Sequence, residues 1–355
     1  MKKVLFIAMH RKNRSPSQRY RFEQYFNYLE ENGIKCTLSF LISEKEDNLL
    51  YKPGHYLAKL KIYLKSILAR RKDLRTASTF DFIFIQREAL MTRSTFFERK
   101  LANLNVPIIY DFDDAIWLED KNSNLGILGL LKYPAKTAKI IGYADQVIAG
   151  NTYLANYALK YNANVKVIPT TIDTNWYKPK EKYNGAIITI GWTGSFSTIK
   201  HFEELVPVLV SIKAKYHDRI NFLVIGCEEF IHDDLDIKGL AWSADSEVED
   251  LQAIDIGIMP LPNNDWTKGK CGAKGLQYMG LAIPTIMSPV GVNTEIIQDG
   301  INGFLADTDD QWVNKLSLLI ESEELRTRLG KAGRETVVKH YSVETNKEKY
   351  LKLFD

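Results

Sequence analysis

The stretch IITIGWTGSFSTIK, residues 187–200, decides the fold class. It begins as an apolar run that predicts a buried strand, passes through a turn at Gly194 and Ser195, and opens a segment that predicts a helix. A strand, a short Gly/Ser turn and a helix form the repeating unit of a parallel sheet covered by helices. We therefore predict an α/β protein.

Runs of the same kind recur along the chain, in two series separated by the polar stretch NWYKPKEKYNG at 175–185. The first series is KVLFIAM (3–9), KCTLSFL (35–41), FDFIFIQ (80–86), VPIIYDF (106–112), QVIAG (146–150) and VKVIPTTI (165–172), and the second adds INFLVIG, IKGLAW, IGIMPLP, IPTIMS and GFLA. This order predicts two doubly wound, Rossmann-like domains facing a cleft. We place them at residues 1–174 and 186–340, with a linker at 175–185. A C-terminal helix at 341–355 is able to pack back toward the first domain.

The composition excludes several classes of protein. With 355 residues, 45% hydrophobic and 26% charged, the chain is neither disordered nor low in complexity. No apolar run approaches the roughly 18 residues of a membrane span, and the start lacks an export cleavage site. The three cysteines (Cys36, Cys227 and Cys271) are far apart, which argues against disulfides and structural zinc. A cytoplasmic location is expected.

Charge is distributed unevenly. Residues 1–110 contain 21 Lys and Arg against 10 Asp and Glu, a net charge of +11, whereas the remainder of the chain carries −8. Such asymmetry is typical of a face that meets phosphate, lipid or nucleic acid. Attraction between the two domains is the alternative explanation.

Much of the positive charge lies in HYLAKLKIYLKSILARRKDLRTA, residues 55–77. Leu57, Leu60, Leu64, Ile67 and Leu68 form one stripe, which we expect to be buried against the sheet as in any α/β domain. The remaining faces carry seven basic residues (Lys59, Lys61, Lys65, Arg70, Arg71, Lys72 and Arg75) and one acid, Asp73. At about 1 kcal/mol per basic residue near an anionic leaflet, this charge predicts reversible contact with a membrane surface.

A lysine-rich entry to a helix lies at DWTKGKCGAKGLQYMGLAIP, residues 265–284. Lys270 and Lys274 are four residues apart, so on a helix they would share a face and could grip one diphosphate. A merely solvated lysine face would normally include glutamates, and none occurs between Trp266 and Val290. The pattern predicts phosphate binding.

Two other strand-to-helix turns are candidates for the same ligand. Gly194 and Ser195 leave the backbone small and exposed at a helix N-terminus, where unpaired N–H groups attract phosphate, and Lys200 could supply a countercharge. Such turns are also ordinary connections. In SPVGVNTEIIQDGINGFL, residues 288–305, Glu295 occupies the first turn of a helix, where a carboxylate is favourable even without a ligand.

Three carboxylates end a strand in IIYDFDDAIW, residues 108–117. Asp111, Asp113 and Asp114 would be costly there unless paired, hydrated or bound to a cation, so the pattern favours a functional role. A strand followed by DxD resembles the nucleophile motif of HAD-type phosphatases, with Asp111 as nucleophile, and the metal-binding motif of GT-A glycosyltransferases. Ala115, in place of the expected Thr, argues against a phosphatase. The complete second domain argues against a GT-A glycosyltransferase.

An arginine pair follows the first strand in SPSQRYR, residues 15–21. Arg19 and Arg21 suit an anionic group such as the phosphate of a lipid-linked acceptor. Helix-surface arginines without a ligand are the alternative.

The segment KGKCGAKGLQYMGLAIPTIMSPVGVNTEIIQDGINGFL, residues 268–305, resembles the donor-binding segment of family 4 glycosyltransferases. These are retaining enzymes of the GT-B fold that use nucleotide-activated sugars. GWTGS followed by Lys200 is similar to another motif of their C-terminal domain. PSQRYRFEQYFNYLEENGI (16–34) and IIYDFDDAIW resemble N-terminal segments of a bacterial branch that builds surface polysaccharides.

The resemblance implies roles residue by residue. Lys200, Lys270 and Lys274 would hold the donor's diphosphate, together with Gly194 and Ser195. Glu295 would orient the sugar or diphosphate, and Gln277 would face the ribose. Most members have two glutamates eight residues apart, where this chain has Gly269 and Gln277. Asp265 is a candidate to take the place of the first glutamate, at position 269.

These patterns together predict a retaining glycosyltransferase with Asp113, Asp114, Lys200 and Lys274 in catalysis and with Arg19, Arg21 and Asp111 at the acceptor. The expected partners are a nucleotide sugar, a lipid-linked or polysaccharide acceptor and an anionic membrane at its inner face, with no nucleic acid, cofactor or metal. The alternatives are a non-catalytic, two-domain nucleotide-sugar-binding protein and a phosphatase using Asp111.

Overall fold

The computed structural model describes residues 1–51, 54–118, 133, 135–180 and 187–355. The chain divides into two compact units. The first unit comprises Met1–Thr170 together with Lys347–Asp355, and the second comprises Thr171–Asn346. The sequence-based boundaries at 174 and 340 fall close to these divisions, and residues 181–185 of the predicted linker lie outside the described residues.

The first unit contains a parallel sheet in the order β2-β1-β3-β4-β5-β6. Its strands are β1 (Lys2–Ile7), β2 (Ile34–Ser39), β3 (Phe82–Gln86), β4 (Ile108–Phe112), β5 (Gln146–Ala149) and β6 (Val165–Val167). Its helices are α1 (Pro16–Arg19), α2 (Phe26–Glu31), α3 (Glu44–Tyr51), α4 (Tyr56–Thr76), α5 (Phe96–Ala102), α6 (Ala135–Tyr143) and α7 (Thr152–Ala158), with short 3-10 turns at Glu23–Tyr25, Ala77–Thr79 and Lys352–Phe354.

The core of the first unit is aromatic and includes the end of the chain. Phe6 of β1 lies 5.0 Å from Phe84 of β3, ring centroid to centroid. The ring of Tyr350 stacks on that of Tyr25 at 3.9 Å, and Phe354 packs edge-on against Phe6. Because aromatic side chains bury large apolar areas, these contacts make the C-terminal segment part of this core.

Helix α4 is held to the sheet by a polar anchor. The fully buried Arg70 donates to the carbonyl oxygens of Ala8 and Ala89, to Ser39 and, at 2.8 Å, to Asp73. The prediction that the leucine stripe is buried is therefore wrong: α4 buries Ile62, Ser66, Arg70 and Asp73, and it exposes the stripe residues Leu57, Leu60, Leu64 and Leu68 to solvent. Arg70 likewise is not a surface cation.

The second unit contains a parallel sheet in the order β13-β12-β11-β7-β8 and a separate two-stranded sheet. Its strands are β7 (Ile188–Thr193), β8 (Ile220–Ile225), β9 (Ile231–His232), β10 (Ile237–Lys238), β11 (Ile256–Met259), β12 (Thr285–Met287) and β13 (Phe304–Leu305). Its helices are α8 (Ile199–Glu203), α9 (Val206–Tyr216), α10 (Glu247–Gln252), α11 (Asp265–Lys268), α12 (Ala273–Gly280), α13 (Asn293–Ile296), α14 (Asp309–Glu321) and α15 (Glu323–Thr336), with 3-10 turns at His217–Arg219 and Asp233–Leu235 and a π-helical turn at Val337–Tyr341. The last helix, α16 (Val343–Leu351), crosses the division between the units.

The run IKGLAW, 237–242, was predicted as a strand of this second sheet, but within it only Leu240 pairs with that sheet, through a single parallel bridge to Ile225 of β8. Ile237–Lys238 pairs antiparallel with Ile231–His232 in the separate two-stranded sheet. The strand stops at Gly239, where an added Cβ would lie 1.8 Å from the carbonyl oxygen of Cys227. Trp242 follows in a loop.

The carboxyl ends of the strands carry the residues singled out in the sequence. In the first unit, Gln86 pairs in register with Asp111, so Arg87 and Asp113 follow adjacent strand ends. In the second, β7 ends beside β11, which brings Gly194 to the same sheet edge as the 260–272 segment. Among the described residues, no helix combines the length and the apolar character that a membrane span requires.

Candidate functional site

Lys270 and Lys274 do not share a helix face, contrary to the sequence prediction. Helix α11 ends at Lys268 and α12 begins at Ala273, so Lys270 lies in the connecting turn. The turn needs a glycine at 272, because that residue has φ +70° and an added Cβ would lie 2.4 Å from Ile296. The chain thus presents one lysine from a turn and one from the first turn of a helix.

Each lysine lies over an indole ring. The ammonium of Lys274 is 5.3 Å from the centre of the buried Trp192 ring, and that of Lys270 is 5.3 Å from the ring of Trp266. Such cation–π contacts position a charge without neutralising it. Lys268 is paired with Asp265 at 3.1 Å, so Asp265, the candidate to replace the first glutamate, has a local partner.

Trp192 links Lys274 to the turn after β7. An added Cβ at Gly194 would lie 2.2 Å from the Trp192 ring, so the ring occupies the space that a side chain would need. The structure thereby brings Gly194 and Lys274 to the same tryptophan. Two predicted donor residues from separate motifs lie at one place in the second unit.

The turn at 195–198 is organised by its own hydroxyl groups. Ser195 N–H donates to Thr198 Oγ1 at 3.0 Å, and the Ser195 and Ser197 hydroxyls are 3.0 Å apart. Lys200 follows in α8. Burial raises the pKa of Glu204, one helical turn further on, and the charge of Lys200 opposes that rise.

Gln277 belongs to a buried polar cluster. Its Nε2 donates to the Tyr177 hydroxyl at 3.2 Å and to Glu247 Oε1 at 3.3 Å. The Tyr177 hydroxyl donates to Glu247 Oε2 at 2.7 Å, and Trp242 Nε1 donates to Oε1 at 2.8 Å. We refer to Gln277, Glu247, Tyr177 and Trp242 as the Glu247 cluster. A carboxylate is therefore present beside position 277, contributed by α10 rather than by α12.

Sequence reasoning missed Glu247, Tyr177 and Trp242. Glu247 lies between exposed acids in a stretch that reads as an ordinary helix N-terminus, and Tyr177 lies in the stretch taken for the linker. No spacing rule connects positions so far apart in the chain. Glu295, which was predicted from the sequence, is exposed on α13. The pKa of Tyr341 is raised mainly by the burial of Tyr341 itself and also by the negative charge of Glu295.

In the first unit, Arg21 and Asp111 form a fully buried ion pair, in which Arg21 also donates to the carbonyl of Ile168. Burial raises the pKa of the Asp111 carboxyl, and the Arg21 guanidinium opposes that rise. Neither side chain reaches solvent, which argues against contact with an acceptor at Arg21 and Asp111 and against a phosphatase nucleophile at Asp111.

Arg87 pairs with the other two carboxylates of the motif, Asp113 at 2.8 Å and Asp114 at 2.6 Å. Burial lowers the pKa of its guanidinium, but the two carboxylates more than offset this and raise it. The carboxylates of Asp113 and Asp114 were expected to be paired, hydrated or bound to a cation, and the structure shows them paired with Arg87. Sequence reasoning missed Arg87, although it directly follows β3, the neighbour of the strand that carries the carboxylates.

Two further residues complete this edge of the first sheet. Arg19 is half-buried, with its guanidinium 5.2 Å from the ring of Tyr20. His10, which sequence reasoning missed, follows β1. Its backbone N–H donates to Gln18 Oε1 and its carbonyl oxygen accepts from Gln18 Nε2, both at 2.8 Å. Burial lowers the pKa of His10 to about 4, so the imidazole is neutral at pH 7. Among the described residues, no group of three or more His, Cys, Asp and Glu side chains could hold a metal ion.

Comparison with known proteins connects this geometry to a fold. Residues 175–336 match the family model described as "Glycosyl transferases group 1". Sucrose-phosphate synthase from Thermosynechococcus elongatus is similar over 100% of this chain and 98% of its own, with a TM-score of 0.74 at 14% identity. The chain has the GT-B fold.

Other GT-B structures cover the chain equally well. Anabaena HepE, in complex with UDP-glucose, matches 99% of both chains with a TM-score of 0.70 at 15% identity. A glycosyltransferase from Rickettsia africae matches 99% of this chain and 97% of its own, with a TM-score of 0.67 at 13% identity. No curated protein matches the sequence. The structural matches show the fold of the whole chain, and the family match covers residues of its second unit.

Proposed function

We propose that this GT-B protein is a retaining family 4 glycosyltransferase. It moves a hexose from a nucleotide diphosphate to a lipid-linked or polysaccharide acceptor in cell-surface glycan synthesis, in the cytoplasm at the inner face of the membrane. The observation that carries the proposal is the position of Lys274 over Trp192, beside Gly194 and near a second lysine, Lys270.

The lysines suit the leaving group. When the sugar–oxygen bond breaks, negative charge accumulates on the departing diphosphate, and fixed cations stabilise it without reorganising. Lys274 and Lys270 are fixed by their indole partners, and Lys200 adds a third cation from α8. With three cations to supply this charge, the proposed mechanism requires no metal and no cofactor. The acceptor hydroxyl approaches from the face that the diphosphate leaves, which retains the anomeric configuration.

The Glu247 cluster suits the nucleoside. The amide nitrogen of Gln277 already serves Tyr177 and Glu247, so Gln277 would bind a ribose hydroxyl through its amide oxygen, as an acceptor. Glu247 supplies the carboxylate that position 277 lacks. UDP-glucose is the first donor to test, because HepE binds it on the same fold. Glu295, exposed on α13, is assigned to the sugar or diphosphate.

The first unit is assigned to the acceptor. Asp113 and Asp114 are the catalytic or acceptor-binding carboxylates, set in place by Arg87, and Arg19 remains the candidate for an anionic acceptor group. Asp113 and Asp114 retain partial exposure, at 12% and 16% of their side-chain areas, in contrast to Asp111.

Calorimetry with UDP and UDP-glucose, followed by an assay for slow donor hydrolysis, tests the proposal. We expect binding of both ligands and release of UDP, and retention would appear in the anomeric signals of the product. Absence of nucleotide binding at millimolar concentration would contradict it. Binding without hydrolysis, or without transfer to any acceptor, would support the alternative of a non-catalytic nucleotide-sugar-binding protein. That alternative is favoured by Gly269, which stands where the resemblance leads us to expect a glutamate.

A further inference from the structure

Helix α4 presents a row of large apolar side chains to solvent. Leu57, Leu60, Leu64 and Leu68 are 79%, 52%, 52% and 61% exposed. Spacings of three and four residues place them along one side of the helix, and Tyr56 and Tyr63 extend the apolar surface. We refer to the four leucines as the leucine row. Single exposed apolar residues are ordinary in soluble proteins, but a contiguous row indicates an interaction surface.

The orientation of the helix is fixed by its opposite side. Ile62, Ser66, Arg70 and Asp73 are buried, and the hydrogen bonds of Arg70 to Ala8 and Ala89 tie α4 to two neighbouring segments. Rotating the leucines inward would expose the apolar Ile62 and break those buried hydrogen bonds, which is unfavourable because a buried donor would be left without an acceptor. The leucine row is therefore a stable surface feature of the first unit.

Positive charge borders the leucine row. Lys61, Arg71, Lys72 and Arg75 are exposed, and among the described residues none of the four has an acidic partner. Lys65 is paired with Glu46 of α3, and the single acid of α4, Asp73, is buried against Arg70. The exposed side of α4 is thus apolar along its length and cationic at its edge.

This combination selects one occupant. A second copy of the chain docked through the same face would bring the two sets of cations together. An anionic bilayer instead offers acyl chains for leucines and phosphates for lysine and arginine. From Leu57 to Leu68 the row is about 16 Å long at 1.5 Å per residue, which suits a helix lying in the plane of the interface.

We propose that α4 docks on an anionic lipid bilayer, with the leucine row inserted among the acyl chains and Lys61, Arg71, Lys72 and Arg75 at the headgroup phosphates. Tyr56 and Tyr63 would lie at the boundary between the two, where amphipathic rings are favourable. The inference rests on the exposed face of α4 and holds whether or not the protein transfers sugars. It assigns the contact to apolar insertion, with charge as the means of attraction.

A fluorescent probe on the row tests insertion directly. Leu64→Cys, labelled with an environment-sensitive dye, should brighten on phosphatidylglycerol vesicles and remain unchanged on phosphatidylcholine vesicles. Labelled Leu318→Cys, an exposed helical leucine of the second unit, is the matched control and should not respond. The native cysteines interfere little, because Cys227 and Cys271 are buried and burial raises the pKa of Cys36 to about 12.

Two sets of substitutions separate insertion from attraction. Changing the leucine row to Gln should reduce partitioning to phosphatidylglycerol vesicles at least about tenfold, even at low salt, because the burial of four apolar side chains among the acyl chains is lost. Changing Lys61, Arg71, Lys72 and Arg75 to Gln should abolish mainly the component of binding that salt screens. Neither set should lower the melting temperature, since all the positions are exposed.

Three results would overturn the inference. A Leu64 probe that does not respond to anionic vesicles excludes insertion. Unchanged partitioning of the leucine variant reduces the contact to electrostatics. A stable dimer by light scattering that the leucine variant converts to a monomer would show that a second copy covers this face.

Discussion

Gln277 Nε2 lies 3.3 Å from Glu247 Oε1, in a cluster where the Tyr177 hydroxyl and the Trp242 ring nitrogen also donate to that carboxylate. An amide at 277 can donate to Glu247, whereas a second carboxylate could only repel it. The glutamine is thus matched to Glu247. The carboxylate beside position 277 is supplied by α10.

Gln277→Glu should lower the free energy of unfolding at pH 8 by about 1–3 kcal/mol, since it buries an unpaired charge next to Glu247. The loss should shrink as the pH falls and one of the two carboxylates is protonated. Urea unfolding at several pH values measures it. Gln298→Glu, an exposed site of the same unit, is the control, and the double variant Gln277→Glu/Glu247→Gln should recover stability. Equal losses at 277 and 298 would contradict the pairing.

Lys274→Ala and Lys270→Ala should each weaken UDP binding about 10- to 150-fold, the range for a charge-assisted bond worth about 1.5–3 kcal/mol. Uridine binding should hardly change, because it has no phosphate. Calorimetry with both ligands measures the difference, and exposed Lys331→Ala is the control. UDP affinity that is unchanged in both variants would mean that the donor site has been misplaced.

Asp113→Asn and Asp114→Asn should leave UDP affinity within about twofold, because the donor residues belong to the second unit, while at least one lowers transfer. Calorimetry combined with a transfer assay separates the two effects. Wild-type activity that chelators abolish and magnesium restores would instead indicate a metal site at these carboxylates.

Asp111→Asn should destabilise the protein by about 3–5 kcal/mol, the cost of leaving the buried Arg21 without its counterion. Thermal or urea unfolding measures it, with Glu31→Gln on the surface of the same unit as control. A variant as stable as wild type would argue that the Arg21–Asp111 pair is dispensable for folding and would return Asp111 to the candidate acceptor residues.

The free energy of unfolding should decrease as the pH falls, because of His10. Burial depresses its folded-state pKa from 6.5 to about 4, so the unfolded chain takes up a proton at a higher pH than the folded chain does. This contribution is complete above pH 6.5 and is lost between pH 6.5 and 4, up to about 3 kcal/mol. His10→Gln should flatten the curve of unfolding free energy in that window. The same slope in wild type and variant would assign the loss to other groups.

The sequence predicted the sheets better than it predicted the faces of the helices. Apolar runs mark strands of a parallel sheet because both sheet faces are covered, and most of the predicted runs contain observed strands. The leucines of α4 were assigned to the core because they are apolar. The buried side is instead set by Arg70, whose carbonyl and hydroxyl partners come from distant parts of the chain.

The candidate site was predicted one residue at a time, without the partners. Lys270, Lys274 and the three aspartates are conspicuous in sequence because their charge is locally unbalanced. Arg87 and Glu247 are not, since an arginine after a strand and a glutamate at a helix start are common. Their roles depend on register and on contacts between elements far apart in the chain, which no local pattern encodes.

The stacking of Tyr350 on Tyr25 has a consequence for biosynthesis. A chain emerging from the ribosome completes domains in order, from the N-terminus. Here the first unit lacks Tyr350 and Phe354 until all of Thr171–Asn346 has been translated. The aromatic core of the first unit is therefore completed only after the whole of the second unit has been synthesised.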